Sequence, residues 1–325
     1  MDSDHDFNNI NIQKLSLDNF KNFIKLGKGS IGKIILAEYI PTGKNYALKF
    51  IKETVSDNII KSIYISTLLD HPNLMRCYGY FYDIMKDISY CICVMEYIEG
   101  CDIFDLFLGE NAGYPLYQLP EIIRQTAQGL EYLHKKKYIH RDIKPENILL
   151  SMDGITKLID YDFICYRGIC SEISGTVYYL SPETITYGTI IAANDMWALG
   201  ACLYLILTKK YPFDLDNYHH FGLDSNESVD SNESVDSNES VDSNESVDSN
   251  ESYNYHFGMD SNKGLDKGLD KELDSLDDIY NDILYKPIDM GPIPEKYKEL
   301  VSGLLCKNYL RRLTATQVIG IINNF

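Results

Sequence analysis

The sequence predicts an α+β fold in which a small β-rich lobe precedes a larger, mainly helical lobe. Residues 20–50 alternate apolar and polar side chains around glycines, which is typical of strands. From residue 119 onward, apolar side chains recur every three or four residues, which is typical of helices. The length of 325 residues suits one two-lobed unit or two domains, and the apolar fraction of 45% excludes a wholly disordered chain.

The first lobe is predicted to be an antiparallel sheet with one helix. Residues 20–50 predict three strands, with a turn at Pro41, Thr42 and Gly43. Residues 59–69 have the spacing of an amphipathic helix, and residues 78–82 and 89–96 predict two further strands. The second lobe then begins with a helix whose apolar positions are Ile122, Ile123, Ala127, Leu130 and Leu133.

An acidic repeat interrupts the second lobe. The motif Asp-Ser-Asn-Glu-Ser occurs five times in residues 224–252, which carry −10 of the net charge of −18. Each six-residue unit offers one Val against two acids, too little apolar surface to offset the entropy lost on ordering. We therefore predict that 217–274 is a disordered, low-complexity insertion. The alternative is an acidic docking or calcium-attracting tract, although the spacing does not match an EF-hand loop.

Composition also limits the partners and the compartment. More than half of the acidic excess lies in one insertion and no basic cluster stands out, so we expect no nucleic-acid partner. The longest apolar run, 197–207, is too short to span a bilayer. The eight cysteines are scattered and form no CxxC pair, which favours reduced thiols. We therefore expect an intracellular protein, in the cytoplasm or, if the source is a virus, in the host cytoplasm.

A glycine-rich segment and a lysine are the first candidate site. The segment is Gly27, Lys28, Gly29, Ser30, Ile31, Gly32, Lys33 and Ile34. It is either an ordinary turn or a loop whose backbone N–H groups approach phosphate oxygens, and no helix follows it as in a dinucleotide-binding loop. Lys49 stands in an apolar strand fifteen residues further on, where its ammonium needs a counter-charge that a phosphate would supply.

The decisive motifs lie in the second lobe. His140-Arg141-Asp142-Ile143-Lys144-Pro145-Glu146-Asn147 is followed closely by Asp160-Tyr161-Asp162. With these residues the chain closely resembles the eukaryotic-type protein kinases, and Lys144 and Gly175-Thr176 match the serine/threonine-specific branch. Further marks follow in order, namely Ser181-Pro182-Glu183, 195–200 and Arg312-Leu313-Thr314.

The resemblance implies a domain organisation. It covers about 20–325 apart from the repeat, so the chain would be one protein kinase domain at 20–325 after a polar leader at 1–19. The N-lobe would be 20–96 and the C-lobe 97–325. The implied fold is the two-lobed protein kinase fold, with a small antiparallel β-sheet and one helix in the N-lobe.

The resemblance also implies roles for individual residues. Asp142 would accept or orient the proton of the substrate hydroxyl, and Lys144 would hold the transferring phosphoryl group. Asn147 and Asp160 would bind Mg2+, and Lys49 would hold the α- and β-phosphates of ATP. The adenine would lie between Leu26, Ile34, Ala47, Met95 and Leu149, the hinge would be Glu96 and Tyr97, and Asp102 would bind the ribose. Ordinary core packing is equally compatible with the apolar residues of this set.

Three positions depart from the family pattern. Ser62 stands where a helix glutamate usually pairs with the strand lysine, and Asp162 replaces the glycine of the metal-binding motif. Glu172 stands where relatives often carry an activating phosphothreonine that pairs with the residue corresponding to Arg141. We interpret Glu172 as a fixed negative charge for Arg141, although an exposed loop acid is the simpler alternative.

The sequence therefore indicates an ATP- and Mg2+-dependent serine/threonine protein kinase that acts on protein substrates. The alternative is a nucleotide-binding pseudokinase or scaffold, which Ser62 and Asp162 favour. A small-molecule or lipid kinase fits less well, because Ser181-Pro182-Glu183 matches enzymes with protein substrates. The sequence makes no prediction of oligomeric state.

Overall fold

The computed structural model describes residues 12–29, 31–54, 56–110, 112–168, 175–213 and 277–325. The chain divides into two compact units, one formed by Met1–Phe213 with Tyr280–Phe325 and the other by Asp214–Ile279. The insertion expected at 217–274 lies outside the described residues. The elements below belong to the first unit.

The first lobe contains a five-stranded antiparallel sheet in the order β1-β2-β3-β5-β4. The strands are β1 (Phe20–Lys28), β2 (Gly32–Tyr39), β3 (Lys44–Lys52), β4 (Cys77–Met85) and β5 (Ile88–Glu96). The three predicted strands of 20–50 are confirmed, and Gly43, with φ of +69°, lies in the turn between β2 and β3.

Strands β4 and β5 are longer than the sequence predicts. They meet at a two-residue turn in which Lys86 and Asp87 have φ of +48° and +63°. Such a turn matches the twist of a hairpin but usually contains Asn or Gly. The Lys-Asp pair gave no turn signal, so the ends of both strands were missed.

One helix, α1 (Asp57–Thr67), packs against β4. Its buried positions include Ser62, Ile63 and Ser66. The prediction of 59–69 extended past the end of the helix, because Leu69 continues the apolar pattern and is buried outside it. The helix predicted for the N-lobe is thus confirmed with shifted ends, and it is the one α-helix among the described residues of 20–96.

The residues just before β1 pack on the sheet. Leu15 is buried in the same core as Phe20, whose ring stacks on that of Phe81 with centroids 6.1 Å apart. The backbone N–H of Leu17 donates a 2.8 Å hydrogen bond to the carboxylate of Asp83. Residues 12–19 of the expected leader are therefore attached to the N-lobe.

The second lobe is mainly helical. Its helices are α2 (Ile103–Phe107), α3 (Leu119–Lys135), α4 (Pro182–Tyr187), α5 (Ala192–Thr208), α6 (Glu295–Leu304) and α7 (Ala315–Ile322), and residues 280–285 are also helical. The five apolar positions predicted for α3 are all buried, which confirms that helix. Helix α3 packs against α7 and α5 against α6, with Trp197 fully buried in α5. The predicted α+β class is confirmed.

Short strands hold the loops of the site. They are β6 (Gly100–Asp102), β7 (Tyr138–Ile139), β8 (Ile148–Ser151), β9 (Thr156–Leu158) and β10 (Cys165–Tyr166). β6, β8 and β9 form one sheet, and β7 pairs with β10. The loop at 140–147 is therefore anchored by a strand at each end.

Two further expectations concern the described residues. No described helix has both the length and the apolar character needed to cross a membrane. Six described cysteines are free thiols, and they are Cys77, Cys91, Cys93, Cys101, Cys202 and Cys306. Cys165 is disulfide-bonded, so the expectation that every thiol is reduced was wrong.

Candidate active site

A cavity of about 590 Å3 lies beneath the glycine-rich turn between β1 and β2. Its size is within the range of small-molecule sites. The backbone N–H of Gly29 donates to the carbonyl of Gly32 over 2.8 Å, which closes the turn. Lys49 of β3 lies beneath it, since a Cβ added at Gly29 would be 3.6 Å from Lys49 Nζ. Gly27, Lys28 and Gly29 line the cavity.

The rest of the glycine-rich segment is placed differently. Ile31, Gly32 and Lys33 are not among the lining residues, and Ser30 lies outside the described residues. A Cβ at Gly32 would come within 2.1 Å of the carbonyl oxygen of Phe50. Close contact with β3 therefore requires glycine there, independently of any ligand.

The predicted adenine walls meet in this cavity. Its lining includes Leu26, Ile34, Ala47, Met95 and Leu149, together with the expected hinge residues Glu96 and Tyr97. Asp102 does not line the cavity. Its carboxylate instead accepts a 2.9 Å hydrogen bond from the N–H of Asp105 and caps α2. Burial raises the pKa of Asp102.

Lys49 is buried between two carboxylates. Its Nζ donates to Asp160 over 2.9 Å and makes a still closer contact with Asp162. Burial alone would lower the pKa of Lys49, but the two carboxylates outweigh burial and raise it. Burial would likewise raise the pKa of Asp160, yet Lys49 holds it below its usual value. Lys49 and Asp160 are therefore both charged at neutral pH.

The loop between β7 and β8 assembles three of the predicted residues. The carboxylate of Asp142 accepts hydrogen bonds from Asn147 over 2.8 Å and from the hydroxyl of Thr176 over 3.3 Å. The ammonium of Lys144 lies 3.0 Å from the same carboxylate. Asp142 is 5% exposed, so its carboxylate is held by neighbours on several sides. Such a group can accept a proton or orient a hydroxyl.

Asp195 of α5 supports this loop from below. Its buried carboxylate accepts the backbone N–H of His140 over 3.0 Å and of Arg141 over 2.9 Å. It also lies 2.8 Å from the ring Nε2 of His134. These contacts fix Arg141 at a strained φ of +73°. The sequence marked Asp195 only as part of a motif, and its supporting role was missed.

The close contact between Gly175 and the backbone of Arg141 places Thr176 beside Asp142. Gly175 has φ of +110°, and a Cβ there would lie 2.5 Å from the carbonyl oxygen of Arg141. Only glycine permits this contact. Thr176 is then placed so that its hydroxyl is 3.3 Å from Lys144 Nζ as well as from Asp142.

The segment after β9 carries two acids around a buried tyrosine. The Tyr161 hydroxyl lies 3.1 Å from the carbonyl oxygen of Met75 and 2.9 Å from that of Leu158. Its ring meets that of His140 edge to face, with centroids 5.7 Å apart. Tyr161 thus anchors the segment, while Asp160, with φ of +60°, turns toward the cavity.

Asn147 and Asp160 both line the cavity and suit a divalent cation. Because Asn147 Nδ2 donates to Asp142, its Oδ1 remains to face a ligand. An amide oxygen and a carboxylate are ligands that Mg2+ accepts, with phosphates and water completing its shell. The described residues contain no group of three or more His, Cys, Asp or Glu that could hold a metal alone. These donors therefore fit a cation shared with a phosphate ligand.

The predicted pairing of Arg141 with Glu172 involves one described residue, Arg141. Arg141 donates from its guanidinium to the carbonyl of Phe163 over 3.3 Å. Glu172 lies outside the described residues. The pairing of Arg141 with Glu172 therefore stays a prediction.

The cavity also extends behind Lys49, which the sequence did not predict. This part is lined by Ser62, Ser66, Met75, Cys77 and Cys93. These residues come from α1, β4, β5 and the segment before β4, and no local spacing links them. Only the tertiary structure brings them together.

Comparisons with known proteins give one family model and several relatives. A family model described as Protein kinase domain matches residues 20–321. The chain is 35% identical to Aurora kinase of Saccharomyces cerevisiae over 211 residues, which are 62% of this chain and 56% of the relative. It is 33% identical to serine/threonine-protein kinase ATG1a of Arabidopsis thaliana, over 60% of this chain and 32% of the relative. Calcium-dependent protein kinase 4 of Plasmodium falciparum is 32% identical, over 62% and 39%. The matches thus span little more than half of these relatives, or less.

Proposed function

The chain belongs to the protein kinase family, and we propose from this premise that it is an ATP- and Mg2+-dependent serine/threonine kinase. It would transfer the γ-phosphoryl group of ATP to Ser or Thr hydroxyls of protein substrates. The observation that carries the proposal is the set of contacts that Lys144 and Asn147 make with Asp142 beside the cavity of Lys49 and Asp160.

Each residue of this set has a distinct task. Asp142 orients the substrate hydroxyl and takes its proton as the phosphoryl group is transferred. Lys144, 3.0 Å from Asp142, holds the transferring group close to the attacking oxygen. Lys49 binds the α- and β-phosphates, and Asn147 and Asp160 would hold Mg2+. When bound there, Mg2+ would neutralise charge on the phosphate oxygens.

The apolar end of the cavity would bind the base of the nucleotide. Ala47 and Leu149 would enclose the adenine ring, and Glu96 and Tyr97 would face its polar edge with backbone groups. The charged side chains of Lys49, Asp142, Lys144 and Asp160 would then face the phosphates. Since ATP is plentiful inside cells, we also propose an intracellular, cytoplasmic location.

A second candidate is a nucleotide-binding scaffold with little or no transfer. It is favoured by Ser62, because α1 carries no acid after its first residue and so offers Lys49 no helix carboxylate. Retention of Lys49, Asp142, Lys144, Asn147 and Asp160 favours the active kinase, because a scaffold needs no catalytic acid.

The test is transfer from ATP labelled at the γ-phosphate to a generic protein substrate, by wild type and by Asp142→Asn. We expect transfer by wild type, label on Ser or Thr after hydrolysis, and a 10²- to 10⁴-fold loss in the variant. The control is Asp153→Asn, an acid exposed in the turn between β8 and β9. Equal counts from wild type and Asp142→Asn, with both still binding an ATP analogue, would support the scaffold instead.

A further inference from the structure

Lys49 takes its buried partner from an unexpected element. On α1, Ser62 is 3% exposed and donates its hydroxyl to the carbonyl of Ile59 over 2.8 Å, within its own helix. It lines the same cavity as Lys49 but offers that lysine no charge. The carboxylates that reach Lys49 both come from the segment after β9.

Asp160 and Asp162 differ in their surroundings. The side chain of Asp162 is 7% exposed and that of Lys49 is 6% exposed, whereas that of Asp160 is 20% exposed. Asp162 is also closer to Lys49 Nζ than Asp160 is. A buried carboxylate needs a cation beside it, while a more open one can accept a ligand from the cavity.

The backbone allows this arrangement. Position 162 is a glycine in the family pattern, yet Asp162 is not among the described residues with positive φ. The side chain is therefore accommodated in a conformation that any residue adopts. The acid gains a buried ion pair without the strain that replacing a glycine often brings.

We propose that Asp162 is the positioning residue for Lys49 and replaces the helix carboxylate that Ser62 lacks. Asp162 would hold the ammonium toward the phosphates, so that Asp160 can turn to the cation without leaving Lys49 unpaired. The proposal rests on the proposed function, because it assigns Asp162 a task in the same transfer.

The alternative is that Asp162 is itself a metal ligand. The two roles predict different responses to charge placed elsewhere in the cavity. A carboxylate introduced at position 62 can replace a partner of Lys49, whereas a lost metal ligand is compensated by more Mg2+.

The experiment compares wild type, Asp162→Asn, Ser62→Glu and the double variant. We expect Asp162→Asn to lower kcat/KM for ATP by roughly 10- to 150-fold, because a hydrogen bond between charged groups is lost. Ser62→Glu should recover at least tenfold of this loss in the double variant and give no gain in wild type. The Mg2+ concentration for half-maximal rate should change less than twofold. The control Asp153→Asn removes an exposed acid and should leave every value unchanged.

Two results would overturn the proposal. One is a loss in Asp162→Asn that raised Mg2+ restores and Ser62→Glu does not. The other is unchanged kcat/KM in Asp162→Asn. If wild type transfers no phosphate, the proposed function fails by itself, and wild type and the same three variants are compared by binding of a fluorescent ATP analogue without Mg2+. Recovery of binding by Ser62→Glu would support the pairing, and its absence would reject it.

Folding is checked by thermal unfolding of Lys49→Met and of Lys49→Met with Asp162→Asn. Lys49→Met leaves the buried carboxylate of Asp162 and the half-buried carboxylate of Asp160 without their cation, so removing the charge of Asp162 should raise the melting temperature. A melting temperature of the double variant at or below that of Lys49→Met would contradict the pairing. This comparison needs no activity and remains informative where Asp162→Asn is unstable.

Discussion

The side-chain amide of Asn147 holds Asp142 at two points, with hydrogen bonds of 2.8 Å to its backbone carbonyl and 2.8 Å to its carboxylate. Both hydrogen bonds join positions that are five residues apart in the same loop. Lys144 lies 3.0 Å from the same carboxylate. The residues that we propose as proton acceptor, phosphate-binding cation and metal ligand are therefore joined in one unit.

Loss of Asn147 should therefore act partly through Asp142. We expect Asp142→Asn to lower kcat by 10²- to 10⁴-fold and Asn147→Ala by about 10²-fold. The double variant should fall only a few-fold below Asp142→Asn, since residues that act as a unit are not additive. Steady-state kinetics of the three variants checks this, with the exposed Asn45→Ala as control. Multiplicative losses would show that the two residues act independently.

The sequence predicted this unit because its members are close in the chain. Asp142, Lys144 and Asn147 lie on one short loop, and their spacing alone suggested shared chemistry. Lys49 and Asp160 are 111 residues apart, and only the family resemblance linked them. The pairing with Asp162 was missed, because the sequence identified the absent acid at Ser62 without showing which other acid could reach Lys49.

The same limit applies to the edges of the site. Asp102 was assigned to the ribose by resemblance, yet in this chain its carboxylate is used to cap α2. The support that Asp195 gives to His140 and Arg141 also depends on a contact across 54 or 55 residues. Contacts between residues so far apart in the chain follow from helix packing, which no local sequence pattern specifies.

The buried pair of Glu183 and Arg312 should matter for stability. Arg312 donates to the two carboxylate oxygens over 2.5 and 2.9 Å, and its side chain is fully buried against Trp197. We expect Arg312→Leu to cost about 3–5 kcal/mol, because it leaves a buried charge unpaired. Chemical denaturation measures this cost.

The matched control is the surface pair of Arg124 and Glu121, whose residues are three apart on α3. Arg124→Leu should cost less than about 1 kcal/mol. Similar losses in both variants would mean that the Glu183 pair contributes no more than a surface contact.

Glu172 should supply the charge that a phosphate provides in relatives. We expect Glu172→Ala to lower kcat several-fold and Glu172→Asp to retain most activity, because only the first removes the charge that Arg141 would meet. The measurement is steady-state turnover of protein that carries no phosphate, verified by intact mass. Unchanged turnover in Glu172→Ala would leave it an ordinary loop acid.

The repeats should be dispensable for catalysis. Deleting residues 224–252 removes −10 of the net charge. We expect kcat to stay within twofold of the wild-type value and the melting temperature to stay within about 2 °C of it. A second variant replaces every Asp and Glu of the repeats by Asn and Gln and so separates length from charge. A loss of activity in the deletion alone would indicate a role for the length of the insertion, and a loss in both a role for its charge.

Asp195 makes stability depend on acid pH in a defined direction. Burial alone would raise its pKa, but hydrogen bonds from His134 and from the loop outweigh burial and hold it below the usual value of 3.8. A lowered pKa in the folded state adds stability above about pH 4, and this contribution disappears as pH falls through the folded value.

Asp195→Asn lacks the group and places an amide donor against the N–H donors of the loop, which costs about 1–3 kcal/mol. The gap in melting temperature between wild type and Asp195→Asn should therefore narrow below about pH 4. The exposed Asp18→Asn is the control and should follow wild type throughout. A gap that stays constant at acid pH would show that the charge of Asp195 contributes nothing to the folded loop.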